Sequence, residues 1–151
     1  MKLLALAILT LVSLAQPVMS QSRLMGATQD YNKGLAAWIR GDHETALEYF
    51  KPLAQNGHTE SQYNLFAMYN NGKGVPQDYK TAVKWLRLAA EKGHASAQNN
   101  LGLKYDQGLG VPQDHKTALR WFKLAAEQGN AGAQFNLGVM YQYGKGNPQG
   151  Q

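Results

Sequence analysis

Apolar residues return along this chain in a fixed double rhythm. Ala82, Trp85, Leu86, Ala89 and Ala90 lie at intervals that place one apolar stripe along a helix. Asp78 stands before the stripe as an N-cap, and Gly93 follows it as a residue free to take positive φ. Ala95, Ala97, Leu101 and Tyr105 mark a second helix, ended by Gly108. The whole unit then runs again. Residues 72–108 read GKGVPQDYKTAVKWLRLAAEKGHASAQNNLGLKYDQG, and residues 108–144 read GLGVPQDHKTALRWFKLAAEQGNAGAQFNLGVMYQYG. Pro76 returns as Pro112, Trp85 as Trp121 and Tyr105 as Tyr141, each 36 residues on. A fixed period of this size marks an array of stacked repeats.

Earlier copies are looser. Residues 30–40 (DYNKGLAAWIR) align with the second helix of a unit, with Lys33 where later copies have leucine. Residues 43–55 form the next first-type helix, capped by Asp42. Pro52 lies inside it and removes one backbone hydrogen bond, which predicts a kink or an early end. Residues 60–71 form the following second-type helix. The repeat core predicted from these registers is Tyr49, Trp85 and Trp121 on the first-type helices, with Leu101, Leu137, Tyr105 and Tyr141 on the second. Replacing either tryptophan by alanine should cost about 3–5 kcal/mol. Gly102 and Gly138 face the same side, where a missing side chain lets two helix backbones approach closely. Phe66 replaces that glycine one repeat earlier, which predicts looser packing at its junction.

The recurring motifs are G-x-G-V-P-Q-D, A-x-x-W, A-A-E-x-G and A-x-A-Q-x-x-L-G-x-x-Y. With them the chain resembles the Sel-1-like repeat family, relatives of the tetratricopeptide repeats. The resemblance implies an all-α fold, a right-handed α/α solenoid of helix-turn-helix repeats over residues 30–146. It also implies that protein or peptide is bound on the concave face, and it implies no reaction. In such solenoids the second-type helices line the groove. Their fifth positions are Tyr31, Tyr63, Asn99 and Phe135 here, and their twelfth are Trp38, Asn70, Asp106 and Gln142. Beside the fifth position runs a ladder of Asn32, Asn64, Asn100 and Asn136. An amide donates and accepts at once, so the ladder can grip a peptide backbone. The aromatics would then serve as anchors. The alternative is that the asparagines bond across neighbouring helices and the aromatics fill the interior.

One cysteine-rich branch of the family carries penicillin-binding or β-lactamase labels, which raises a hydrolase as a second reading. This chain has no cysteine, so it holds neither disulfides nor a lipid anchor, and no thiolate metal site. His43, His58, His94 and His115 are scattered, and His58 and His94 are repeat-equivalent turn residues. No nucleophile–base motif is present, and no cofactor or metal is expected. The net charge is +5. Lys80, Lys84, Arg87 and Lys92 line one first-type helix, followed by Lys116, Arg120 and Lys123 on the next. They read as a solvated outer face, or as a stripe that attracts an acidic partner.

Residues 1–20 have the form of a secretory signal peptide: Lys2, an apolar run over residues 3–15, then Val18-Met19-Ser20. The run is shorter than the ~20 residues a membrane span needs. Export to the periplasm or the extracellular medium is therefore expected, with no integral span once the signal is removed and no nucleic acid as partner. Residues 21–29 are a polar lead-in, and residues 147–151 begin a further repeat that does not continue. That leaves the apolar face from Phe135 to Tyr143 without a covering helix. The expectation is that this end docks onto a second copy or onto a partner, as an inhibitor or immunity-type protein would; the competing reading is a truncated member of the family.

Overall fold

The computed structural model describes residues 2–146, with side-chain surroundings from Ser20 onward. The expected tail at 147–151 lies outside the described residues, as does residue 1. Seven helices and no strand are found among the described residues: α1 (Lys2–Ile39), α2 (His43–Gln55), α3 (Thr59–Asn71), α4 (Tyr79–Glu91), α5 (Ala95–Gln107), α6 (His115–Glu127) and α7 (Ala131–Gln142). Each helix packs against its neighbours in sequence. The result is an α/α solenoid in which α2, α4 and α6 alternate with α1, α3, α5 and α7. The first helix is longer than its repeat. It runs unbroken through the lead-in at 21–29, so the second-type segment at 30–40 is the end of a longer rod.

The motif residues act as fasteners. Asp78 caps α4, its carboxylate accepting from the backbone N–H of Lys80 at 2.9 Å and of Thr81 at 3.2 Å, and from the Thr81 hydroxyl at 2.6 Å. Asp114 repeats this at α6 with Lys116 and Thr117. The preceding glutamine ties the loop to the helix before it. Gln77 donates to the Asn70 carbonyl at 2.8 Å, and Gln113 donates to the Asp106 carbonyl at 2.7 Å. The second glycine of G-x-G is needed twice over. Gly74 has φ +69°, and a Cβ there would stand 2.7 Å from the His43 carbonyl oxygen; Gly110 and Gly146 press in the same way on Tyr79 and His115. Each loop therefore lies directly on the start of the first-type helix one repeat back. The glutamine at the fourth place of the second-type helix closes two of the hairpins: Gln62 donates to the Ala54 carbonyl, and Gln98 to the Ala90 carbonyl, both at 3.1 Å.

Three apolar clusters run in series. Ala37, Ala46, Phe50, Ala54, Leu65 and Met68 form the first. Phe66, Ala82, Val83, Leu86, Ala89, Ala90, Ala97 and Leu101 form the second, and Ala118, Leu119, Phe122 and Met140 the third. Trp85 touches the first and second, and Tyr105 the second and third.

Several expectations are corrected here. Trp85, Trp121 and Tyr49 are half-buried. The deepest positions on the first-type helices are one residue later, at Phe50, Leu86 and Phe122. The tryptophans lie at the seams between clusters, so they fasten neighbours rather than fill a centre. Leu101 is fully buried and Tyr105 half-buried, but Leu137 is only half-buried and Tyr141 and Gly138 are exposed. Pro52 does not shorten α2, which has the same 13 residues as α4 and α6. Pro52 is exposed, as is Glu48, whose carbonyl loses its donor to the proline. Gly102 faces an aromatic ring and not a helix backbone: a Cβ there would stand 2.6 Å from Cε1 of Phe122. Phe66 does not loosen its junction, because Leu86 stands where Phe50 and Phe122 stand in the other repeats. The large side chain has moved to the other helix, and the contact between α3 and α4 is as extensive as that between α5 and α6.

Candidate protein-interaction surface

Hydrogen bonds tie the second-type helices to one another across the intervening first-type helices. Asn100 donates to the Tyr63 hydroxyl at 2.9 Å, linking α5 to α3. Asn136 donates to the side-chain oxygen of Asn99 at 2.9 Å, linking α7 to α5. The asparagine ladder and the fifth-position residues thus lie on one strip. At Asn100 and Asn136 the amide group is engaged within the protein. Asn64 is half-buried and its amide nitrogen has no partner, and Asn32 is exposed.

The fifth-position rings are held from below. Tyr31 packs on His58 with ring centroids 4.9 Å apart, and Tyr63 stacks on His94 at 4.6 Å. Each histidine is itself an N-cap, its Nδ1 accepting from the backbone of Ser61 at 3.2 Å or of Ala97 at 3.1 Å. In the next repeat Asn130 takes over the cap with Ala133 at 2.9 Å, and the fifth position is Asn99. The cap and the ring above it change together. Burial pushes the Tyr63 hydroxyl above its ordinary pKa, and the bond from Asn100 partly offsets this. Phe135 is 72% exposed.

At the far end of the strip, Trp38 packs on His43 at 4.6 Å, and Asn70 accepts from Lys104 Nζ at 2.6 Å. Asp106 meets His115 Nδ1 at 2.8 Å and Lys145 Nζ at 3.7 Å. Gln142 is exposed. Lys104 is absent from the predicted groove residues. It is buried, with its ammonium 4.9 Å from the centre of the Tyr79 ring, and desolvation lowers its pKa. Its trace in the sequence is a register break, since Met68 and Met140 hold the equivalent places.

The basic residues of α4 and α6 are exposed, in keeping with a solvated face. Some also brace the array: Arg87 donates to the Tyr105 hydroxyl at 2.7 Å, and Lys92 to the Gly57 carbonyl. Among the described residues no group of His, Asp or Glu could hold a metal ion. No described helix is long and apolar enough to cross a membrane.

A family model for the Sel1 repeat matches residues 23–58, 59–94, 95–130 and 131–149. The chain belongs to the Sel1 repeat family. Its first match begins inside the stretch read as a lead-in, where α1 is already helical. Among solved structures, c5321, a protective antigen present in uropathogenic Escherichia coli strains and displaying the same repeat fold, is 37% identical with a TM-score of 0.77. That match covers 87% of this chain and 29% of c5321. A Sel1 repeat protein from Oxalobacter formigenes is 30% identical with a TM-score of 0.75, covering 80% of this chain and 49% of that one. The chain thus spans less than half the length of either. A comparison with curated proteins finds no match. Sel1 repeats are generally protein-interaction modules on a non-catalytic scaffold.

Proposed function

We propose that this chain is an exported adaptor that binds a peptide or protein partner along the strip of second-type helices. The observation that carries the reading is the pre-set aromatic strip. Tyr31 and Tyr63 are half-buried rings packed on His58 and His94, and Phe135 continues their register in the open. Rings fixed before binding lose little side-chain freedom when a partner arrives. The asparagines at 100 and 136 contribute by aligning the strip rather than by gripping the partner directly. Export rests on the signal-like residues 1–20.

The test is capture from envelope extracts, followed by affinity measurement with the purified partner. Phe135→Ala changes an exposed ring and leaves the core alone, so it should weaken binding about tenfold or more. Tyr63→Ala should do the same, with circular dichroism checking the fold. Binding that survives both changes would overturn the reading. So would β-lactam turnover that co-purifies with the chain, which is the outcome a hydrolase predicts.

A further inference from the structure

One side of α4 carries a groove that is basic although the fold does not require it to be. The groove encloses about 500 Å³, and its floor is apolar: Val83 is buried, Val111 is half-buried and Leu88 is 41% exposed. Lys80, Lys84 and Arg87 line it at intervals of four and three residues, so they share one face of the helix. The loop from α5 to α6 forms the other wall. Gly110 presses on the Tyr79 carbonyl, and Val111 packs against the cluster that holds Val83. Arg87 donates to the Tyr105 hydroxyl, but no carboxylate lies within ion-pair distance of any of the three cations among the described residues. The preceding repeat builds the same frame with the opposite charge. Glu44 and Glu48 hold the places of Lys80 and Lys84, and Leu47 and Val75 hold those of Val83 and Val111. Both helices are complete at 13 residues. Lys80 lies in the first turn of α4, where the helix dipole favours an acid such as Glu44 supplies in α2. A charge that opposes the local rule, beside an apolar floor, marks a contact made outside the chain.

We propose that this groove binds an acidic segment of a partner protein, with an apolar side chain on Val83, Leu88 and Val111 and carboxylates at Lys80, Lys84 and Arg87. The occupant's chemistry follows from charge complementarity, since an apolar floor edged by cations without carboxylate partners fits a chain that carries both features. The three cations span about 10 Å of helix axis, the length of about three extended residues, so a short segment suffices. A lipid surface fits less well: a flat surface meets the exposed cations and does not reach Val83. The groove shares no residue with the aromatic strip and holds or fails independently of it.

The probe is a blocked peptide, Glu-Leu-Glu-Leu-Glu, titrated into the protein and followed by amide shifts in NMR. Shifts should centre on Lys80, Lys84, Leu88 and Val111, and affinity should fall roughly tenfold from low to physiological ionic strength. Lys80→Glu combined with Lys84→Glu recreates the charges of Glu44 and Glu48 and should abolish binding. The same double variant should bind Lys-Leu-Lys-Leu-Lys instead, which an unfolded chain would not do in this groove. Leu88→Gln, at an exposed position, should weaken binding of the acidic peptide roughly tenfold. Tyr63→Ala should leave it unchanged. No binding, shifts centred on Tyr63 or Phe135, indifference to Leu88→Gln, or no reversal in the double variant would overturn the proposal. So would binding to anionic lipid vesicles in preference to the peptide, or sedimentation showing that copies of the chain associate through these lysines.

Discussion

Lys104 holds a charge where the neighbouring repeats hold methionine, and its cost follows from that placement. Its ammonium donates to Asn70 and lies over the rings of Tyr79 and Phe66, and no carboxylate pairs with it among the described residues. A cation removed from water without a partner of opposite charge is destabilising. Lys104→Met restores the register of Met68 and Met140 and should raise stability by roughly 1 kcal/mol, read as a rise of a few degrees in Tm. The N-cap histidines make the converse case. His94→Ala removes both a cap and the stack beneath Tyr63 and should cost about 1 kcal/mol or more in denaturant unfolding. His94→Asn keeps a cap acceptor, as Asn130 does, and should lose less. Acid sensitivity belongs at this scale too. Threonine hydrogen bonds hold the carboxyls of Asp42, Asp78 and Asp114 below their usual 3.8. Their folded values are depressed, so their contribution is complete above 3.8 and is lost as pH falls through the lowered values. Tm should drop in that acid window, and the drop should be shallower in Asp78→Ala.

Between helices, size complementarity decides more than the identity of any one residue. Leu86→Phe alone places two phenyl rings at one junction and should destabilise by about 1–3 kcal/mol through overpacking. Combining it with Phe66→Gly recreates the arrangement of Gly102 and Phe122 and should recover part of that loss. A double-mutant cycle in urea reads the coupling directly, and additivity of the two changes would contradict the size rule. This rule was half visible in the sequence. The recurrence of Gly102 at Gly138 points to a close approach, but it suggests a helix backbone where the structure places the ring of Phe122. Likewise Phe66 reads as disruptive by itself, because the smaller Leu86 that shares its cluster lies on another helix. Partners on different helices are set by rotation about each helix axis, which a one-dimensional pattern leaves open. Pro52 leaves α2 at full length for a related reason. The loss of a hydrogen bond is serious where the freed carbonyl is buried, and exposure at that position is a property of the assembled array.

At the level of the whole molecule, stability is shared between neighbours, because each hairpin buries its apolar face only against the next. The ends should therefore open first. Amide exchange should be slowest in the central helices α3, α4 and α5 and faster in α7, whose main packing neighbour among the described residues is α6. Uniform protection across all seven helices would count against a nearest-neighbour array.

Periodicity alone determined the architecture, since a 36-residue repeat of capped amphipathic helices has one economical way to hide its apolar stripes. It also placed the caps and the turns, which depend on residues close together in the chain. Tertiary structure decided how the functional candidates are used. Asn100 and Asn136 could have faced a ligand or a neighbouring helix, and contact across repeats turned them inward. It also decided that Trp85 and Trp121 lie at seams while Phe50, Leu86 and Phe122 lie at the centre, and that Gly138 stands open. Spacing within a helix is a local quantity that the backbone fixes. The partner a side chain meets is fixed only when distant helices pack, because burial and hydrogen bonding are settled together across the interface.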